Sequence, residues 1–267
     1  MAINITKFRR GLKQGYNPIT QIADKDNLRM DFGVAILGAG EKYEETLKGK
    51  EVCYLLLKGE MGIEVNSHFF SGERKDIFNE KPVCWSISSG YHYKVRIYKS
   101  TEVIEIRVKN PKKFEPLFWP QNKIKIERRG KGLMQDVAFR LIKTVFDYTN
   151  HPKSNLVVGE VITLPGRWSS YPPHHHLQPE IYFYKFLPKK GYGFCQLGDR
   201  VLKVENNDAV KILNQVDHPQ VAAPGYAMWY LWAIRHLPKN PYKGFEYSSG
   251  YAWLLNKKAK IWKPGAK

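Results

Sequence analysis

From about Lys50 onward the apolar residues fall in short runs or in alternation with polar ones, separated by Gly, Asn and charged turns. Residues 52–57, 62–65, 68–70, 83–86, 91–98 and 103–108 each have the length and the β-branched or aromatic content of a strand. Short strands at this spacing predict an antiparallel sandwich or barrel. Residues 110–129 change character: Pro111, Pro116 and Pro120 sit among Lys and Arg, which predicts a connector. Over 133–148, Val137, Leu141, Val145 and Tyr148, with Ile142 and Phe146 beside them, recur at helical spacing behind Gly130 and Gly132, which predicts one helix. Strands resume at 156–164, 181–186, 201–204, 209–213 and 227–234. Two β-rich halves of similar size suggest duplication of one barrel. The expected division is an all-β chain of two domains, 1–125 and 153–267, joined by a helical linker over 126–152.

Composition narrows the function. Hydrophobic residues at 43% and charged residues at 25% are those of a folded globular chain, so disorder, collagen and coiled coil are excluded. Forty-three Lys and Arg against 25 Asp and Glu leave a net charge of +18, a field that attracts nucleic acid, acidic lipid or small carboxylates. Cys53, Cys84 and Cys195 are widely spaced, odd in number and form no CxxC pair. That argues against a disulfide framework or a zinc knuckle and for a reducing, cytoplasmic setting. The start, residues 1–11, carries Lys7, Arg9 and Arg10 with no apolar stretch behind them and does not read as a signal peptide. The longest apolar run, 227–234, is too short to cross a bilayer as a helix, so no membrane partner is expected.

The strongest chemical signal is His174-x-His176-x-x-x-Glu180. On a strand, residues two apart face the same side, so His174 and His176 point together while His175 points away. A short reversal over 177–179 then lets Glu180 open the next strand beside them. His218, 42 residues after His176 and followed by Pro219, stands where another strand can return and complete the set. Imidazoles with one carboxylate suit a divalent transition metal such as zinc, manganese or iron, with room left for substrate. The plain alternative is a polar histidine turn.

These residues lie in a familiar setting. Gly166-Arg167-Trp168-Ser169-Ser170-Tyr171-Pro172-Pro173-His174-His175-His176, followed by Glu180-Ile181-Tyr182-Phe183-Tyr184, resembles the 5-deoxy-glucuronate isomerase family of inositol catabolism. His218-Pro219-Gln220-Val221-Ala222-Ala223-Pro224-Gly225-Tyr226, then Tyr230-Leu231, is similar to that family's second signature, and Glu73-Arg74-Lys75-Asp76-Ile77-Phe78 to its first barrel. The resemblance implies two cupin (jelly-roll) barrels with one zinc or manganese ion in the C-terminal one. It implies His174, His176, Glu180 and His218 as ligands, the four that strand geometry selects. The implied reaction is aldose–ketose isomerisation of a small acidic sugar, 5-deoxy-glucuronate to 5-dehydro-2-deoxy-gluconate. Where the family has HKHD this chain has His174-His175-His176-Leu177, a departure that bears on substrate. The stretch from Phe194 to Asp199 is similar to the sister 4-deoxy-5-ketouronate isomerases of pectin breakdown, the alternative substrate class.

Roles follow from position. Glu180 is a ligand or a proton carrier. Tyr182 and Tyr184 share its inward parity, so Tyr182 is assigned to catalysis and Tyr184 to substrate, against the alternative that both fill the barrel. Arg167 and Arg235 are candidate clamps for the substrate carboxylate, against the alternative that both are surface cations. Trp168 and Trp229 read as core. The first half offers only His68 and His92, with no HxH, so it is expected to bind no metal and to serve as scaffold and interface; a homo-oligomer is compatible with that. Two rival functions stand beside the isomerase. One is a nucleic-acid binder built on the +18 charge and on residues 91–99, where Tyr91, Tyr93, Val95 and Ile97 share one face and His92, Lys94, Arg96 and Tyr98 the other. Ordinary amphipathic alternation explains that segment better. The other is a metal-free cupin that binds sugar, which would leave the four ligand types without a task.

Overall fold

A computed structural model describes residues 4–265; residues 1–3, at the head of the polar start, lie outside that range. The chain is built mainly from antiparallel strands. In the first half, Gly15–Thr20, Met30–Leu37, His92–Lys109, Lys50–Val65, Val83–Ile87 and Leu117–Trp119 are neighbours in that order, with Lys42–Thr46 paired to His92–Lys109 and His68–Arg74 to Lys50–Val65. In the second half, Ile5–Lys7, Asp208–Ile212, Glu180–Leu187, Ala227–Arg235, Leu156–Thr163, Arg140–Phe146 and Glu127–Arg129 form one sheet. A second sheet of Trp168–Ser169, Gln220–Ala222, Tyr192–Leu197 and Arg200–Glu205 packs on it, while His174–His175 pairs with Glu246–Tyr247. The first strand thus lies in the later sheet, through pairing with Asp208–Ile212, and not with the rest of residues 1–125.

Strand alternation assigns side chains to three cores. Along Lys50–Val65, Val52, Tyr54 and Leu56 face the interior of the first half, whereas Cys53, Leu55 and Leu57 face outward into a shared core. Phe183, Trp229, Leu231, Val158 and Phe146 of the second half meet them there. Burial on both faces explains why residues 52–57 are a continuous apolar run. The complementary parity of the second half, Tyr182, Tyr184 and Phe186 with Met228 and Tyr230, faces its own interior. Lys50–Val65 bends at Gly59, whose φ of +111° is left-handed. A Cβ at Gly59 would stand 2.4 Å from Thr101 Oγ1, so the position requires glycine.

Residues 133–148 are not a helix. They hold a single 3-10 turn, Met134–Asp136, and the strand Arg140–Phe146, paired on both sides by Glu127–Arg129 and Leu156–Thr163. No helical linker therefore joins the halves. The misreading has a physical cause: Leu141 and Val145 are compatible with both periods, while β-branched Ile142, Thr144 and Val145 favour the pleat. Positive φ at Met134, Gln135 and Asp136 also ends any helical path, and Val137, expected on its apolar face, is exposed. The strands Gly15–Thr20, Met30–Leu37 and Lys42–Thr46, ahead of Lys50, escaped the sequence reading.

The segment behind the nucleic-acid reading is an amphipathic strand. Tyr93, Val95 and Ile97 are buried, whereas His92, Lys94 and Arg96 are exposed. Arg96 pairs with Glu64, and Lys99 with Glu60 and Glu73, so part of the positive face is already neutralised. Among the described residues no helix is long and apolar enough to cross a membrane.

The seam between the halves carries a pH-sensitive group. His151 is buried edge-on against Phe114 and Phe146, near Trp119, with one ring nitrogen 3.2 Å from Ser86 Oγ. Burial pulls it down from its ordinary 6.5 to about 4. The unfolded chain then takes the proton first, so the stability His151 supplies is complete above pH 6.5 and is lost as pH falls toward 4. Between pH 7 and pH 5, wild type should lose about 1–2 kcal/mol more than His151→Phe. Urea unfolding of both proteins at both pH values measures this, and equal losses would refute it.

Candidate metal and substrate site

Glu180 opens the strand Glu180–Leu187, and its parity turns Glu180 and Tyr182 into a cavity of about 230 Å³ within the second half. His174 and His176 line the same cavity, and so does His218. His175, between them, turns the other way: its Nδ1 lies 3.0 Å from Asp217 Oδ1, and it does not line the cavity. The alternation expected of a strand therefore holds across the triplet. Glu180 Oε2 lies 3.1 Å from His176 Nε2 and 3.4 Å from His218 Nε2. Ligand atoms of these three buried residues lie within 4.8 Å of one another. His174 stands beside them, its ring centroid 5.0 Å from that of His218 and 4.0 Å from Phe245.

Backbone carbonyls set the histidine tautomers. His218 Nδ1 lies 2.9 Å from Val216 O, and His174 Nδ1 3.2 Å from Pro172 O. A carbonyl can only accept, so each Nδ1 carries the hydrogen and each Nε2 presents a lone pair. At His218 that lone pair faces the Glu180 carboxylate, acceptor against acceptor, in a buried pocket. Such a contact is unfavourable until a cation sits between the two groups. The donor set therefore fits a divalent metal ion, with His176, Glu180 and His218 converging and His174 at the edge. Burial, reinforced by the neighbouring His218, lowers the His174 pKa, and burial likewise lowers that of His218 against the opposing pull of Glu180. Both imidazoles are thereby kept in the neutral form that binds metal.

Hydroxyls and a guanidinium complete the lining. Ser169 Oγ lies 2.5 Å from the Tyr230 hydroxyl, and Ser170 Oγ lies 3.3 Å from that of Tyr182 and 3.4 Å from that of Tyr230. The Ser169-Ser170 pair thus orients two phenols. Burial raises both phenol pKa values, so Tyr182 and Tyr230 stay protonated. Arg140 lines the cavity almost wholly buried, and its Nη1 donates to Ala138 O at 2.9 Å and Tyr171 O at 3.2 Å. Among the described residues no carboxylate pairs with it, whereas Arg129, also in the lining, is held by Glu127. An uncompensated buried guanidinium is costly unless an anion joins it.

The other nominated residues lie elsewhere. Tyr184 is buried deeper, donates to Gln220 Oε1 at 2.6 Å and does not line the cavity. Arg167 donates to Asp136 O, and Arg235 to the carbonyls of Asn27, Leu28 and His236; neither lines the cavity. Trp229 is core, and Trp168 is half-buried against Tyr171. Leu177 is 55% exposed and outside the lining, so the departure from HKHD changes a residue the cavity does not use. Sequence reasoning missed Arg140 because it lay in the expected helix. The available signal was alternation, since Arg140, Ile142 and Thr144 line the cavity from one strand face.

A sequence profile of the KduI/IolB family matches residues 5–254. The 5-deoxy-glucuronate isomerase of Halalkalibacterium halodurans is 27% identical over 252 residues, an alignment covering 87% of this chain and 91% of that protein. An IolB-like protein from Salmonella typhimurium superposes with a TM-score of 0.85 at 22% identity, over 96% of this chain and 100% of that one. A cupin 2 conserved barrel domain protein from Leptotrichia buccalis does so with a TM-score of 0.53 at 13% identity, over 86% of this chain and 96% of that one. The structural likenesses speak to fold, and the fold is cupin-like.

Proposed function

The chain belongs to the KduI/IolB family, and from that premise we propose that it is an aldose–ketose isomerase that converts 5-deoxy-glucuronate to 5-dehydro-2-deoxy-gluconate. The observation that carries the reading is one cavity holding both a buried His176, Glu180 and His218 group and the unpaired Arg140 guanidinium. The first suits a metal, and the second suits the carboxylate of an acidic sugar. We read the two halves as two cupin barrels, the metal belonging to the later one, and the setting as the cytoplasm and inositol catabolism. His174, His176, Glu180 and His218 would hold the ion, zinc or manganese. When bound, such an ion supplies polarisation of a carbonyl and compensation of negative charge on oxygen.

The residues divide the remaining work. Arg140 binds the carboxylate through its planar fork and fixes which end of the sugar enters. Tyr182 and Tyr230, held protonated, donate hydrogen bonds to substrate oxygens. Glu180 carries the proton between neighbouring carbons. Tyr242 and Phe245 close the cavity side. The test is metal analysis of protein purified without a His tag, followed by NMR of 5-deoxy-glucuronate, 4-deoxy-5-ketouronate and glucuronate mixed with it. Conversion of 5-deoxy-glucuronate should stop on chelation and return with zinc or manganese, and Arg140→Gln should raise KM far more than it lowers kcat. Absence of conversion by metal-loaded protein would refute the activity, and conversion of 4-deoxy-5-ketouronate alone would move the substrate to the sister class.

A further inference from the structure

A second cavity, of about 620 Å³, lies on the seam between the halves, away from the metal group. Five cations line it: Arg29, Lys109 and Lys112 from the first half, Arg235 and Lys239 from the second. No Asp or Glu lines it, and among the described residues none of the five makes an ion pair. Elsewhere on the surface the pattern differs: Lys50 meets Asp31, Arg96 meets Glu64, and Lys211 meets Asp24 and Asp26. The Arg235 guanidinium is anchored by three carbonyls and so held in place with its charge unmet. Burial and the neighbouring Arg29 both lower its pKa. His236, also in the lining, accepts from Tyr242 N–H at Nδ1, which leaves the hydrogen on a buried Nε2 without a partner.

Like charges gathered in a bounded concavity repel one another, and a bound anion removes that cost. The charge count identifies the anion. A sugar acid bears one negative charge and needs one guanidinium, whereas a phosphate monoester carries about −1.5 to −2 at neutral pH with three strong acceptor oxygens. The five cations gather around one concavity of about 620 Å³ and do not form a long basic stripe, which favours a small molecule over a polymer. We propose that this seam cavity binds a small phosphorylated metabolite, independently of the isomerase reading. Because its cations come from both halves, the bound phosphate ties the halves together and stabilises the folded chain by mass action.

The test is calorimetric titration of the metal-loaded full chain with glucose 6-phosphate, with glucose and glucuronate as controls. Saturable binding of the phosphate ester is expected. Lys112→Glu/Lys239→Glu reverses two exposed charges at the cavity and should weaken binding at least about ten-fold, whereas Lys189→Glu/Lys190→Glu, the same change elsewhere, should leave it intact. His218→Ala, at the other cavity, should also leave it intact. The proposal falls if no saturable binding is seen, if the two double variants weaken it equally, if His218→Ala abolishes it, or if glucuronate binds His218→Ala protein as tightly as the phosphate ester does.

Discussion

Glu180→Ala should strip the protein of its metal and of its isomerase activity together, and His175→Ala should do neither. In the native cavity the Glu180 carboxylate is the one group that touches both other converging donors, 3.1 Å from His176 Nε2 and 3.4 Å from His218 Nε2. Without it two neutral imidazoles remain, which bind divalent ions far more weakly than with an anionic partner. Metal occupancy should fall at least about ten-fold, with turnover falling further because the proton carrier is lost as well. His176→Ala and His218→Ala should behave alike, and His174→Ala should cost less occupancy because its ring stands at the edge of the group. His175 instead bonds Asp217, which Ser248 also holds. Metal content by mass spectrometry and conversion of 5-deoxy-glucuronate, measured on the five single variants, decide the matter. Equal metal loss at 175 and 176 would show an adhesive histidine cluster and no organised site.

The same comparison shows which features were legible in the sequence. Strand parity placed His174 and His176 together, because it depends only on positions within one segment. It could not separate the three converging donors from His174, since convergence depends on where residues 216–218 return. Guanidinium chemistry makes any arginine near the motif a candidate carboxylate clamp but does not say where its fork points, and carbonyls hold Arg167 and Arg235 away from the cavity. Arg140 was hidden by the period chosen for residues 133–148, and so was Lys143. A buried cation within an apolar alternation reads as the solvated face of a helix when its partners are remote. Lys143 donates to the carbonyl of Glu80, and Glu160 finds Arg74 at a separation of 86 residues. Of the strands before Lys50, Gly15–Thr20 and Lys42–Thr46 are short and interrupted by polar residues, whereas Met30–Leu37, paired to both Gly15–Thr20 and His92–Lys109, carries an apolar run that strand composition alone could have flagged.

That remote network leads to the largest expected loss of stability. Arg74, in the first-half sheet, meets Glu160, in the second, through two contacts of 2.5 and 2.8 Å, and both side chains are fully buried. Arg74 also donates to Leu56 O, and Lys143 approaches the carboxylate at 3.9 Å. One anion thus serves two cations inside the seam. Glu160→Ala leaves both uncompensated and should cost about 3–5 kcal/mol, since the desolvation of Arg74 is no longer offset. Burial and the nearby Arg74 charge both pull the Lys143 pKa down, while Glu160 raises it, so Lys143 can shed its proton when Glu160 is removed. Arg74, whose guanidinium keeps its charge, cannot. Arg74→Met combined with Glu160→Leu should therefore recover most of the loss, because it removes the pair and fills the space with apolar volume. Urea unfolding of Arg74→Met, Glu160→Leu and the double variant forms the cycle. A double variant no more stable than the sum of its singles would show that the pair acts as two independent packing groups and does not staple the halves through charge.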